Sequence, residues 1–382
     1  SVLMILFTVD FGVGSRLKND LIATLGKPEE QKSLIIKGVV TNCFVSVTLL
    51  LIAFIGIIIS RSFTDYSISS SDKLVSTLSI VIAIVFVLLF SPLRVLNPLL
   101  QSQQKNALSG FILITPQLYI LAYLFLIESP MFEDIFFELV LFLCIATLFT
   151  YLFLIFIHCK KLNLRWSNIG PLSPLAKASV EYGKKSLGFF LAQISIIFLF
   201  NSNEVFYYII GAVDDIVHYQ YYYRIFSIIF VGFAAVSMPF WSAIRESYVS
   251  SDNANVKKLF FILSLLLIPI SIVVLILGYN YQTVIDLWLG EGHYVADNEL
   301  VFSFAVFSIF MCIMYACSAI LNSFDVIKYQ AITLFFACII KFICIFIMMD
   351  LTIDPVVTSS VIALIFVVIC FMFKAIGLIR SI

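Results

Sequence analysis

The chain has 382 residues, 62% hydrophobic and 12% charged, and its basic and acidic residues balance to a formal net charge of zero. With a mean hydropathy of +1.09, this composition excludes a soluble globular domain and a disordered chain and leaves a polytopic membrane protein. The eight cysteines lie almost entirely in apolar runs without a CxxC pair, and the three histidines are far apart. Neither disulfides, a metal site nor a cofactor motif is indicated.

The first nine residues, SVLMILFTV, are apolar. As a helix they would extend only about 14 Å, half of a bilayer core, and they lack the basic flank and cleavage site of a signal peptide. They read as the tail of a helix that begins upstream. A polar stretch at 10–37 is followed by ten apolar segments, at 38–60, 74–93, 107–127, 135–157, 187–210, 219–240, 259–278, 300–321, 331–349 and 356–379. Each supplies the roughly 20 residues of a membrane helix. None shows the alternating polarity of a membrane strand. The expectation is an all-α polytopic membrane protein with about ten complete transmembrane helices plus a partial one.

All of the 23 Lys and Arg except Arg61, Lys73, Arg224 and Lys341 fall on one side of this layout. That side is cytoplasmic by the positive-inside rule. The opposite loops are acidic, with Asp214, Asp215, Asp286, Glu291, Asp297, Glu299, Asp350 and Asp354 among their residues, and they are too short for an extracytoplasmic domain. The longest cytoplasmic connection is basic and carries a GPLSP turn, so the chain divides into an N-terminal lobe at 1–158, a linker at 159–186 and a C-terminal lobe at 187–382. SRLKNDLIATLGKPEEQK in the first lobe resembles SAIRESYVSSDNANVKK in the second, which points to a parallel repeat of six-helix lobes around a central cavity.

Polar residues inside spans carry the functional signal. Glu204 and Arg224 lie ten residues either side of Asp214. A hairpin turning there puts them at one depth, either as a working pair or as a structural ion pair. Gln193, Asn201 and Glu204 fall within about 80° of one another on a helical wheel and form a stripe that must face protein or water. Lys341 sits in the middle of ITLFFACIIKFICIFIMM, with Gln330 and Thr333 on the same face. A lysine there costs about 2.5–3.5 kcal/mol to insert, which argues against an idle residue. Pro116 and Pro269 read equally as hinges and as ordinary membrane-helix prolines. Tyr219, Tyr221, Tyr222 and Tyr223 read as an interfacial aromatic belt. Two cations in a two-lobed bundle without an enzyme motif suit transport of an anion, a phosphate or pyrophosphate best.

VDFGVGSRLKND, GFFLAQISIIFLFNSNEVFYYIIGA leading into YYYRIF, MPFWSAIRESY, VIDLWLGE and AILNSFDVIKYQ occur in that order along nearly the whole chain. Together they resemble the O-antigen and polysaccharide-biosynthesis flippases (Wzx-type) of the multidrug/oligosaccharidyl-lipid/polysaccharide (MOP) superfamily. The chain departs from that pattern at Asn203 and Glu204, where an Asp would be expected. The resemblance implies a MATE-like fold of two six-helix lobes, here lacking its first helix and most of its second, in the bacterial inner membrane. It also implies flipping of undecaprenyl-pyrophosphate-linked oligosaccharide to the periplasmic leaflet by alternating access. The substrate-binding residues would be Arg224, Lys341, Glu204, Asn201, Gln193 and Gln330. Membrane lipids, a polysaccharide polymerase and a chain-length regulator would be partners, with no nucleic acid and no cofactor. A multidrug or cation antiporter of the same superfamily, and less so a polytopic polymerase, are the alternatives.

Overall fold

A computed structural model describes residues 11–63, 86, 90–126, 135–162, 172–349 and 354–382. The apolar start at 1–10, most of the segment at 74–93, part of the GPLSP turn and Asp350 lie outside the described residues. Among the described residues all regular structure is helical. Among them seven helices are long and apolar enough to cross a membrane, or eight if one bent helix is counted as a span. The protein is a multi-pass membrane protein. It divides into two compact units, Ser1–Phe190 and Leu191–Ile382.

In the first unit α1 (Val13–Ala23) and α2 (Pro28–Phe63) precede a 3-10 turn (Ser91–Val95) that runs into α3 (Leu96–Ser102), followed by α4 (Asn106–Leu126) and α5 (Ile135–Leu162). Val13, Leu17, Leu21, Ile35, Val45, Val95, Leu99 and Tyr182 form one core cluster. Gly12 starts α1 with φ +73°, a conformation few residues but glycine adopt cheaply. A Cβ there would stand 2.4 Å from the Cβ of Phe189 and 2.6 Å from the backbone nitrogen of Phe190. The residue is glycine for both reasons. α4 bends by 42° across the stretch that holds Pro116.

The unit boundary falls inside α6 (Leu172–Ile196), so the basic connection expected at 159–186 is already helical from Leu172. The second unit continues with a π turn (Ile197–Asn201), α7 (Asn203–Ile209), α8 (Asp215–Val249), α9 (Asn253–Leu265), α10 (Leu267–Tyr279), the short α11 (Tyr281–Leu289), α12 (Asn298–Ser323), α13 (Ile327–Met348) and α14 (Pro355–Arg380). Pro269 has no N–H to offer the Leu265 carbonyl, and Leu265 is where α9 ends, with only Leu266 between it and α10. α12 is the central helix: it packs against α8, α10 and α14.

Tyr219 and Tyr222 correct the belt expectation. Both are buried in the core of this unit, where Tyr222 stacks on Tyr281 and Phe304 at centroid distances of 4.8 and 5.5 Å. The Tyr222 hydroxyl accepts from the backbone N–H of Asp297 (2.8 Å) and lies 3.0 Å from the Tyr294 hydroxyl. Three helix ends at the sequence-predicted cytoplasmic face close alike. Gln104, Ser251 and Asp325 take left-handed φ values of +61°, +63° and +59°. The next N–H then bonds back to the carbonyl five residues earlier: Lys105 to Leu100, Asp252 to Ser247 and Val326 to Leu321, each at 2.9 Å.

Candidate functional site

The sequence-predicted polar residues separate into a surface set and a buried set. α7 closes with Gly211 at φ +79° and Ala212 N–H bonded to the Tyr207 carbonyl (2.9 Å), so the hairpin turns before Asp214. Its register pairs residues 16 apart: Asn203 Nδ2 donates to the Tyr219 hydroxyl at 2.8 Å, and Gln220 Nε2 donates to Glu204 Oε1. Glu204 therefore meets Gln220, and Arg224 lies one helical turn further along α8. The expected Glu204–Arg224 ion pair does not form. Arg224 is exposed, and among the described residues no carboxylate lies within ion-pair distance of it.

The π turn explains the second correction. A five-residue turn in place of a four-residue one slips the helical phase by about 100°. Gln193, before the slip, is half-buried and hydrogen-bonded or otherwise engaged, while Asn201 is exposed. Asn203 is the residue that turns inward, 3% exposed. Its sequence signal was the polar run NSNE inside an apolar segment.

Lys341 is fully buried. Its Nζ donates to the Leu199 carbonyl and to Asn203 Oδ1, and it lies 5.0 Å from the centre of the Phe206 ring. Gln330 and Thr333 on the same face of α13 are buried too, and Gln330 Nε2 donates to the Ser318 carbonyl at 3.3 Å. The stripe is interior, as expected, but it is packed against neighbouring helices. The Lys341 and Gln330 side chains are thus both engaged inside the second unit.

A cavity of about 400 Å³ opens at the end of this unit where the loops are acidic, lined by Tyr207, Asp215, Asp297, Glu299, Asp354 and Thr358 among others. Asp354 caps α14, accepting from the N–H groups of Val356 and Val357 at 2.9 Å each, and also accepts from the Tyr207 hydroxyl. Burial pushes its carboxyl above the ordinary 3.8, outweighing these bonds, which lower it. Among the described residues no three His, Cys, Asp or Glu side chains converge as metal ligands.

The fold is shared with solved structures. An outward-facing multidrug resistance MATE family transporter of the MOP superfamily aligns with all of this chain and 86% of its own, at a TM-score of 0.74 and 13% identity. A MATE in complex with MaD3S aligns with all of this chain and 87% of its own, at 0.76 and 12%. The fold is that of the MATE transporters. A third neighbour, a MOP-superfamily transporter from Pyrococcus furiosus, aligns over the whole chain and 86% of its own at 0.67 and 14% identity. No family model and no curated protein matches the sequence. The MATE-like architecture expected from sequence is therefore present.

Proposed function

We propose that this chain is a flippase that carries a polyprenyl-pyrophosphate-linked oligosaccharide, an O-antigen or similar repeat unit, from the cytoplasmic to the periplasmic leaflet of a bacterial inner membrane by alternating access. The observation that carries this reading is Arg224. A guanidinium on a spanning helix, exposed and without a carboxylate partner among the described residues, is suited to a pyrophosphate, which it can bind through paired donors. The ordered run of flippase-like motifs supports the same reading. Polarity is known to vary within this fold: the Pyrococcus furiosus neighbour is described by a reverse polarity of its binding pocket that suggests a different function. Glu204 and Gln220, bonded to each other one turn from Arg224, and Asn201 are the groups left to meet sugar hydroxyls. A polysaccharide polymerase and a chain-length regulator would then act on the product.

In the full-length protein Arg224→Ala should lower surface display of the polysaccharide about tenfold or more, the scale of one lost charge-assisted bond, and Arg224→Lys should restore part of it. Lipid-linked oligosaccharide should accumulate on the cytoplasmic face at unchanged protein level. Normal display in Arg224→Ala would overturn the reading. The acidic cavity favours a second reading, a multidrug or cation antiporter. Efflux of a cationic dye that is lost in Glu299→Gln, with polysaccharide display intact, would decide for it.

A further inference from the structure

The break between α6 and α7 is held by side chains. Where the π turn disturbs the helical ladder, the Ser195 carbonyl accepts from Cys338 Sγ (3.5 Å), the Phe198 carbonyl from Ser202 Oγ, and the Leu199 carbonyl from Lys341 Nζ. Two of these donors, Cys338 and Lys341, come from one face of α13, three residues apart. Unsatisfied carbonyls in lipid cost several kcal/mol each, so a broken span persists only with such partners.

Lys341 differs from the other two donors because it reaches both sides of the break. On the α6 side it binds the Leu199 carbonyl. On the α7 side it binds Asn203 Oδ1 and sits over the ring of Phe206, one turn further on. Asn203 passes the tie to Tyr219 of α8, and Ser360 of α14 lies 3.4 Å from Asn203 Oδ1. The carboxylate next to Asn203, Glu204, is turned to Gln220, and among the described residues Lys341 has no ion pair. The ammonium's partners are thus a backbone carbonyl, an amide oxygen and an aromatic face. A cation at the carbonyl end of a helix is also favoured by the helix dipole.

We propose that Lys341 is a conformational latch: its ammonium bridges the break in the first span of the second unit and holds α7 at a fixed angle to α6. Any change of that angle during transport must break the bridge. α7 would then carry Tyr207, a wall of the acidic cavity, with it. This role is independent of the substrate.

The test is a distance measurement across the break in the full-length protein. Spin labels on noncanonical amino acids at Ile194 and Tyr208, both exposed, leave Cys338 in place. The parent protein should give one narrow distance distribution. Lys341→Met, which keeps length and apolar bulk, should add a second population or broaden the first, and Asn203→Leu should do the same without further effect in the double variant. A parent-like distribution in folded Lys341→Met overturns the proposal. If that variant does not fold, Phe206→Leu is read instead, since it removes one face of the ammonium site and keeps an apolar side chain. Broadening there supports the latch, and a parent-like distribution rejects it.

Discussion

Asp354 shows how much one side chain can carry at a helix start. It caps α14, holds the Tyr207 hydroxyl and lines the acidic cavity. Because burial raises its pKa in the folded protein, the folded state takes up the proton more readily than the unfolded chain. Its contribution is therefore fullest at low pH and is lost as pH rises through the raised pKa. Asp354→Asn keeps a capping side chain and removes the titration, so the midpoint of thermal unfolding should fall less as pH rises above the ordinary 3.8. Asp354→Ala should show the same flattened profile, displaced below that of Asp354→Asn by about 1 kcal/mol, the usual cost of a missing cap. An unchanged pH profile in Asp354→Asn would contradict this account. Tyr222 is a second residue whose role is set by its surroundings. Tyr222→Phe should cost about 1–3 kcal/mol through the lost partners at Asp297 and Tyr294, and Tyr222→Ala about 3–5 kcal/mol. Half-buried Tyr221 should tolerate alanine far better, and chemical or thermal unfolding in detergent measures all three.

Among the elements, α1 and the α6–α7 break were legible to different degrees. The glycines of VDFGVGSRL announce a turn, but only the packing shows that Gly12 has Phe189, Phe190 and the Ser186 carbonyl within 2.7 Å of where a Cβ would sit. Gly12→Ala should therefore destabilise the protein by more than the roughly 1 kcal/mol of an unfavourable φ alone, while Gly26→Ala, at φ +85° with open space around it, should show little beyond that backbone term. Equal losses at the two positions would rule out the packing argument. For 187–210, hydropathy correctly marks an apolar segment. It assumes one helical phase throughout, and the π turn breaks that assumption, which is why Asn203 rather than Asn201 and Glu204 faces inward. The tyrosine run was misread for a related reason. Aromatic residues near a span end fit a lipid interface and a packed core equally well, and the stacking partners Tyr281 and Phe304 lie on distant segments.

For the whole molecule, sidedness is the property on which the proposed direction of transport rests. The asymmetry of Lys and Arg puts the turn before α8 outside and the turn after it inside. A cysteine placed at exposed Val213 should react with a membrane-impermeant maleimide in intact cells, and one at exposed Ser251 only after permeabilisation. The reverse pattern would invert the topology and with it the direction of the proposed flipping. The MATE architecture extends over the full chain despite identities of 12–14% among the three neighbours compared. Fold in this group is thus preserved by the pattern of apolar spans and turn residues far more than by particular side chains.

From the sequence alone come the helical class, the membrane-spanning segments, their orientation, the two-lobed plan and the fact that charged and amide side chains lie within the spans. These follow from properties summed along the chain, since about 20 apolar residues cross a bilayer whatever their order. Which of those polar groups are free to meet a substrate was decided by tertiary structure. Lys341 is taken up by Asn203, 138 residues away, and Asp354 by Tyr207, 147 residues away. Glu204 meets Gln220 rather than Arg224, because the hairpin turns before Asp214. Arg224 remains exposed for the same reason. Periodicity reports the face on which a residue sits, and only contacts between distant segments report what that face meets.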